Sequence, residues 1–346
     1  MSHTGQLDKT VDSTRNVTRS LLSDTLPSDL PTHTLGLLHN TLLPSLVFQT
    51  TLSGAVYTIS RATRRLDFKD ILWASGLTAN AWYNALAPRN ASNRSLSTAF
   101  SLLSYPQKLL LTGVTLWGSR LFYRISTRAW SRGKDDSRYQ GVDKDVSFWN
   151  KAFFSVFLPE AVFQSLISLG YAIALRLPSD HTLMGAPSDL KPHWHALALG
   201  LFGFGFGMEV LADYQLEQRE DKDRLQKDGV WSIVRHPNYL GDFLTHLSFP
   251  TLAYAHGLFH PVQLIGPLSD LVFLRFVGGD QENESNQEQR YKAKNPLKYL
   301  QLEQWKDEKN SFWPSPKEVT NKWSWFLVGI GATTLFLERF VARQTA

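Results

Sequence analysis

A short polar run ahead of an apolar stretch carries the residues best suited to bind a charged ligand. It reads Arg-His-Pro-Asn-Tyr-Leu-Gly-Asp over residues 235–242. Arg235 can pair with a phosphate, while His236 and Asn238 can bond amide or ribose groups. Pro237 suits the first turn of a helix, and a helix N-terminus attracts anions. The run therefore indicates a cofactor site, although by itself it also fits a charged loop at a membrane edge.

Two carboxylates stand upstream of this run. Glu209 and Asp213 are four residues apart, so on a helix they share one face and can point at the same ligand. The tetrad Ala-Asp-Tyr-Gln begins at Ala212, and the triplet Gly-Val-Trp begins at Gly229. We therefore expect residues 209–242 to gather donors and acceptors at the edge of a membrane.

The order and spacing of these motifs resemble the steroid 5-alpha-reductase C-terminal domain superfamily, in which ADxQ, GLW and RHPNYxGE recur. A second block resembles the poorly characterised fungal and bacterial branch of this superfamily, known as domain of unknown function 1295. That branch has a W-x-x-R-L helix followed by a G-x-D-x-R turn, and residues 116–121 and 133–139 are similar to these. The resemblance extends from about residue 70 to residue 316.

This resemblance implies a reductase that holds NADPH in a cytoplasm-facing cavity. A lipid-like alkene, such as a steroid, another sterol or an enoyl chain, would enter from the membrane. Asp213 is implied to face the adenine-ribose side of NADPH, and Arg219 and Arg235 its phosphates. The implied cofactor-binding residues are Glu209, Asp213, Arg219, Trp231, Arg235 and His236, together with Asn238, Tyr239 and Asp242, the last three at the nicotinamide end.

The chain departs from the superfamily pattern at two positions. Leu216 and Ser232 stand where the superfamily often has a basic residue. Both departures remove positive charge from the implied phosphate region. We therefore expect either a weaker affinity for NADPH or a different cofactor.

Reduction of a polarised double bond needs a proton donor as well as a hydride donor. In related reductases the proton comes from a tyrosine or an acid on the early helices. Tyr83 and Tyr105 are the candidate catalytic phenols here, and Asp70 is the early acid. Each tyrosine also fits an aromatic ring anchored at a membrane interface.

Apolar stretches separated by charged segments predict an all-α, polytopic membrane bundle of about seven transmembrane helices. Many of the 11 tryptophans stand near the ends of these stretches, as expected at membrane interfaces. A soluble protein with buried helices is the alternative. The predicted spans are 35–60, 71–88, 97–119, 152–175, 194–212, one tilted span or a broken pair within 243–269, and 323–337.

Basic residues cluster in alternate segments between the predicted spans. Segments 120–144 and 219–235 are the most basic, which predicts that both lie in the cytoplasm and that the N-terminus lies across the membrane. We expect this membrane to be that of the endoplasmic reticulum. Because the positive charge lies between apolar stretches rather than on one face, a nucleic-acid partner is not predicted.

The chain is divided by composition into three parts. Residues 1–33 form a predicted disordered polar tail, 34–318 a membrane reductase-like domain with a cofactor-binding segment at 209–316, and 319–346 a final transmembrane helix with a short tail. The absence of cysteine excludes disulfides, thiolate nucleophiles and iron–sulfur clusters. No metal site is predicted, because the histidines lack a carboxylate at ligand spacing.

Two other functions remain open. A membrane methyltransferase of the isoprenylcysteine type also uses an RHPxYxG turn, in that case to hold S-adenosylmethionine, but residues 281–305 lack the E-E-x-x-L pattern of that class. A scaffold or lipid-binding membrane protein that kept the fold and lost the chemistry is the second alternative, and Leu216 and Ser232 support it.

Overall fold

The protein is a bundle of α-helices. The computed structural model describes residues 34–90, 95–139, 144–219, 221 and 224–345. Within these ranges the only β-structure is an isolated bridge between Met184 and Phe259. The prediction of an all-α bundle is confirmed, whereas the predicted tail at 1–33 lies outside the described residues.

Twelve α-helices can be bounded in this part of the chain. They are α1 (Thr34–Thr63), α2 (Phe68–Asn90), α3 (Leu96–Ser101), α4 (Tyr105–Arg132), α5 (Val146–Ala152), α6 (Leu158–Arg176), α7 (Lys191–Glu217), α8 (Pro237–Ala255), α9 (Ile265–Val272), α10 (Asp280–Lys294), α11 (Pro296–Glu308) and α12 (Lys322–Thr345). Single π-helical turns at Phe153–Phe157 and Phe273–Val277 join α5 to α6 and extend α9.

Five helical segments in the described residues are long and apolar enough to cross a membrane. They are Thr34–Thr63, Val146–Arg176, Lys191–Glu217, Pro261–Lys294 and Lys322–Gln344. The helices α2, α4 and α8, of 23, 28 and 19 residues, pack among them. Large apolar side chains such as Val47 on α1 and Phe336 on α12 are exposed, as expected for helices that face lipid. These features are those of an integral membrane protein.

The predicted third span, 97–119, is wrong at both ends. The six-residue helix α3 ends at Ser101, and α4 begins only at Tyr105, where the Ser104 N–H donates to Oε1 of Gln107 at 2.9 Å. Helix α4 then continues to Arg132, so half of the predicted basic loop at 120–144 is helical. Arginine is a good helix former, and Arg120, Arg124 and Arg132 also form ion pairs, so the basic run continues the helix.

The stretch 243–269 is the broken pair that the sequence allowed. Helix α8 includes Pro250 and ends at Ala255, and Gly257 then adopts a positive φ of 72°. A 3₁₀ turn at Pro261–Leu264 leads into α9. A left-handed backbone favours glycine, so the chain reverses at Gly257 rather than at Pro250.

Small residues bring α7 close to its neighbours. A Cβ atom at Gly205 would lie 2.6 Å from the carbonyl oxygen of Gly241 on α8, and one at Gly203 would overlap Thr334 on α12. Such separations are shorter than van der Waals contact. Helix α7 is therefore clamped between α8 and α12, which fixes the position of the acidic residues near its C-terminal end.

Candidate functional site

Two carboxylates on α7 share one arginine on α4. Arg120 donates from Nη1 to Oδ2 of Asp213 at 2.6 Å and from Nη2 to Glu209. Glu209 is buried, and Asp213 is partly exposed. The structure thus places both predicted residues on one face of α7. Sequence reasoning missed Arg120, which stood in the W-x-x-R-L motif and was assigned to a basic loop.

Helix α8 supplies the next wall of this site. Asn238 and Asp242 are one helical turn apart, and His246 follows one turn later with its Nε2 3.6 Å from Oδ1 of Asp242. Oδ1 of Asn238, Oδ1 of Asp242 and Nε2 of His246 are buried without a hydrogen-bond partner in the described structure. The indole of Trp117 meets the His246 ring edge-on, with the ring centroids 4.8 Å apart.

Helix α9 adds an acid that sequence reasoning missed. Asp270 is fully buried, and neither carboxylate oxygen has a hydrogen-bond partner among the described residues. It interacts electrostatically with Asp242 and Glu209. The rare π-helical turn that begins three residues later is a feature often found next to functional sites.

These side chains form one interior group, which we call the acidic cluster. Its members are Trp117, Arg120, Glu209, Asp213, Asn238, Asp242, His246 and Asp270. Most of its buried unpartnered atoms are oxygen acceptors, namely those of Glu209, Asn238, Asp242 and Asp270. The donors Nε1 of Trp117 and Nε of Arg120 are buried and unpartnered as well. Unpartnered buried polar atoms are unfavourable, so the cluster suits a polar ligand that brings both donors and acceptors. In the part of the chain that the structure describes, no three His, Cys, Asp or Glu side chains are arranged so that they could hold a metal ion together.

A stripe of arginines continues from the cluster along α4. Arg120, Arg124, Arg128 and Arg132 recur every four residues and therefore share one helix face. Nε of Arg124 lies 2.8 Å from Oδ2 of Asp213, and Nη1 of Arg132 lies 2.8 Å from Oδ2 of Asp136. Arg128 is exposed between them and makes no direct ion pair in the described residues, although it interacts electrostatically with Asp213 and Asp136. Arg128 is therefore the member of the stripe best placed to meet an additional anionic group.

The guanidinium of Arg235, which the sequence predicts to bind phosphate, already pairs with groups of the protein itself. Its Nε and Nη2 each lie 2.9 Å from a carboxylate oxygen of Glu284 on α10, and its Nη1 donates to the Lys306 carbonyl at 3.2 Å. Nε2 of His236 lies 2.9 Å from the same carboxylate. Both residues are buried. This network anchors the start of α8 to α10 and α11 and leaves Arg235 little capacity for a phosphate.

Three further predicted residues lie beside that anchor. Trp231 donates from Nε1 to the Ala212 carbonyl at 3.0 Å and packs in the core between α7 and α11. Tyr239 stacks on His236 and accepts from Nδ2 of Asn283 at 2.6 Å. Arg219 follows the end of α7 and is partly exposed.

The two departures from the superfamily pattern also have structural explanations. Leu216 packs against the same core as Trp231, so a lysine there would place its charge among apolar groups. Ser232 donates to the Gly229 carbonyl at 2.6 Å and accepts from Nδ2 of Asn321 at 2.9 Å. At both positions the residue present therefore makes its own packing or hydrogen-bond contacts.

A second polar group, which we call the amino-end network, surrounds the start of α2. The Tyr139 hydroxyl donates to Asp70 at 2.9 Å, and Arg138 pairs with Asp70 at 2.5 Å. Lys69 lies 3.6 Å from the buried Glu160 on α6. Desolvation by burial raises the pKa of Tyr139 well above its ordinary value, against the opposing effect of Lys69. The predicted acid Asp70 is therefore part of a connected network.

The predicted catalytic tyrosines are not brought together with either group. The Tyr83 ring stacks on Phe48 with centroids 4.7 Å apart, and the Tyr105 hydroxyl donates to Glu338 on α12. Tyr105 stands fifteen residues before Arg120 on α4, which is roughly 22 Å along a helix that rises about 1.5 Å per residue. Their catalytic role stays a prediction.

Comparison with known proteins identifies relatives but no established activity. The family described as "Protein of unknown function (DUF1295)" matches residues 56–303, which is more than half of the chain. An uncharacterized protein of Schizosaccharomyces pombe is 27% identical over 188 residues, covering 44% of this chain and 53% of the relative. The match therefore spans about half the length of that relative. No solved structure matches the chain significantly. The chain belongs to the DUF1295 family.

Proposed function

We propose that this protein is a membrane oxidoreductase that uses NADPH to reduce a double bond of a lipid-like substrate in the endoplasmic reticulum. The observation that carries the proposal is the convergence of Glu209, Asp213, Asn238 and Asp242. Glu209 and Asp213 on α7 and Asp242 on α8 all interact with Arg120, and Asn238 lies one helical turn before Asp242 with its Oδ1 buried and unpartnered. Such unpartnered buried groups are typical of a ligand site rather than of a packed core.

The residues present fit the two ends of NADPH. The unpartnered Oδ1 atoms of Asn238 and Asp242 are acceptors for the amide donors of a nicotinamide carboxamide. Arg128, together with the partly exposed Arg219, is available for phosphate. When bound, NADPH supplies the hydride, and the chain supplies orientation and charge.

Reduction also requires a proton, and Tyr139 is the phenol we propose to donate it. Its hydroxyl is bonded to Asp70, and its neighbour Arg138 interacts electrostatically with Tyr239 on α8. The amino-end network therefore reaches the helix that carries Asn238 and Asp242. Asp70 acts here as the group that orients the phenol.

The proposal is tested by nucleotide titration of detergent-extracted protein carrying Asn238→Ala or Asp242→Ala. Both residues lie on the polar face of α8, so we expect folding to be retained and NADPH affinity to fall roughly tenfold or more, as for the loss of a hydrogen bond worth about 1.5 kcal/mol or above. Val319→Ala, at an exposed position in the 3₁₀ helix at Pro316–Thr320, is the control and should leave affinity unchanged. Unaltered affinity in both variants would remove the acidic cluster from the cofactor site.

One observation favours the methyltransferase as a second candidate. The acidic cluster contains four carboxylates, and Arg120 is the one arginine that pairs directly with Glu209 in the described residues. Because negative groups outnumber this cation, the cluster also suits the sulfonium cation of S-adenosylmethionine. Binding of S-adenosylmethionine without NADPH would support this candidate. Binding of neither molecule would favour a scaffold that kept the fold.

The proposed membrane orientation can be tested because the chain has no cysteine. Lys134→Cys and Arg224→Cys lie at exposed positions in the two segments predicted to be cytoplasmic. We expect an impermeant thiol reagent to label both only from the cytoplasmic side of sealed endoplasmic reticulum vesicles. Asp189→Cys, ahead of α7, is the control and should label only from the lumen. Lumenal labelling of Lys134→Cys or Arg224→Cys would overturn the orientation.

A further inference from the structure

Three buried amide side chains from α1, α2 and α6 gather in the interior of the bundle. Gln49, Asn80 and Gln164 are fully buried. A Cβ atom at Gly76 on α2 would lie 2.6 Å from Oε1 of Gln164 and 3.0 Å from Oε1 of Gln49, so both side chains reach the same point on α2. Asn80 follows Gly76 by one helical turn on the same face. We call Gln49, Asn80 and Gln164 the amide cluster.

The amide cluster has donors and acceptors that the protein does not use. Oε1 of Gln49, Nδ2 of Asn80 and both amide atoms of Gln164 lack a hydrogen-bond partner in the described structure. Nε2 of Gln49 donates to the Gly76 carbonyl at 3.1 Å, which holds that side chain in place. Unpaired polar groups are strongly unfavourable in a bilayer, where no bulk water can satisfy them. An amide has one donor group and one acceptor whichever way it points, so the cluster offers both kinds of atom to a ligand.

The orientation of α1 makes the amide cluster accessible from the membrane. Thr41, Ser45, Gln49 and Ser53 recur every four residues and are buried, whereas Val47 and other apolar side chains of α1 are exposed. The helix therefore turns its polar face inward and its apolar face toward lipid. It packs mainly against α2 and α6 and lies at the edge of the bundle. A lipid molecule thus has to pass only one helix to reach the cluster from the bilayer.

The free atoms of the amide cluster favour an uncharged ligand group. The charged side chains next to the cluster are engaged, because Arg176 donates to Oδ1 of Asn84 at 2.8 Å and Glu160 lies 3.6 Å from Lys69. A hydroxyl both donates and accepts, so one hydroxyl meets an acceptor and a donor of the cluster together. A ketone only accepts, and a carboxylate would bring an uncompensated charge into the bilayer.

We propose that the amide cluster binds the hydroxyl group of a neutral lipid alcohol within the membrane. This binding goes beyond the proposed reduction and does not depend on a nucleotide. Glu160 precedes Gln164 by one turn of α6, and its partner Lys69 lies with Nζ 5.4 Å from the centroid of the Tyr139 ring. A lipid held by its hydroxyl at the amide cluster therefore lies about one helical turn from the amino-end network.

The test is photolabelling of the full chain in phosphatidylcholine nanodiscs with a diazirine derivative of 1-hexadecanol. We expect label on α1, α2 and α6 around the amide cluster. Unlabelled 1-hexadecanol should compete about tenfold better than hexadecane or hexadecanoate, as for one or two net hydrogen bonds. Equal competition by all three would overturn the proposal, because the amides would then hold only water or pack against each other.

Two leucine variants test the cluster residue by residue. Gln164→Leu and Gln49→Leu replace an amide by an apolar side chain of similar size, and each should reduce labelling about tenfold. Since Gln164 makes no hydrogen bond in the described structure, its replacement should leave folding intact. Ser168→Ala on the same helix is the matched control, because Ser168 is buried but already donates to the Ser165 carbonyl at 2.8 Å.

The outcomes separate this site from the proposed function. Unchanged labelling in both leucine variants would contradict the site and leave the proposed NADPH binding untouched, because the nucleotide is titrated separately. If a leucine variant does not fold, as judged by size-exclusion chromatography, the competition series on the wild type still decides whether the hydroxyl is recognised.

Discussion

Arg128 offers a specific test of where the phosphates of the cofactor bind. Its neighbours in the arginine stripe, Arg124 and Arg132, form direct ion pairs with Asp213 and Asp136, whereas Arg128 makes only longer-range electrostatic interactions with these carboxylates. NADPH differs from NADH only by the 2′-phosphate. If Arg128 meets that phosphate, Arg128→Gln should weaken NADPH and spare NADH.

The expected size of this effect follows from the exposure of the side chain. A hydrogen bond between charged groups contributes about 1.5 to 3 kcal/mol. Because Arg128 is exposed, water and salt screen the pair, and the lower end applies. We therefore expect about a tenfold loss of NADPH affinity. The loss should shrink as the salt concentration rises.

The assay is titration of wild type and Arg128→Gln with NADPH and NADH at low and high salt. Arg61→Gln is the matched control, because Arg61 lies at the end of α1 and bonds Tyr57 and Asn150. An equal loss for both nucleotides would show that Arg128 acts on a shared phosphate or on folding. No loss for either would remove the stripe from the phosphate site.

Three further predictions address packing, acid stability and the proton donor. Gly205→Ala should destabilise the bundle by about 1 to 3 kcal/mol, because its Cβ would lie 2.6 Å from the Gly241 carbonyl; Gly200→Ala, with open space at its Cβ, is the control in thermal unfolding. Burial acts to raise the pKa of Asp135, but its hydrogen bonds hold that pKa below the ordinary value. The stability that ionised Asp135 contributes should therefore be complete near neutral pH and fade below about pH 4. Asp135→Asn should be less stable than the wild type at pH 7 and should lose less stability on acidification. Tyr139→Phe should lower the rate of single-turnover NADPH oxidation while leaving NADPH affinity within about twofold; a rate equal to that of the wild type would exclude Tyr139 as the donor.

The fold was largely predictable because apolar length and charge spacing report directly on membrane helices. The exception is α4, because the basic run from Arg120 onward predicts a loop, whereas the structure continues the helix to Arg132. The density of charged residues along the sequence cannot show whether a partner carboxylate lies on another helix. Arg120 meets Glu209, 89 residues away, and only the packing of α4 against α7 reveals that pairing.

The candidate site was predictable only in part, for the same reason. Glu209 and Asp213 could be placed on one face because a single helix carries both. Asp270 was missed because no local motif surrounds it and its neighbours Glu209 and Asp242 lie on other helices. Arg235 was assigned to phosphate because its partner Glu284, 49 residues later, could not be identified from spacing.

The proposed reductase function depends most on which nucleotide the wild-type protein binds. The most direct measurement is calorimetric titration of the full chain in detergent with NADPH, NADH and S-adenosylmethionine in parallel. We predict saturable binding of NADPH, weaker binding of NADH and no binding of S-adenosylmethionine. Binding of S-adenosylmethionine alone, or of none of the three, would contradict the proposal that this protein is an NADPH-dependent reductase.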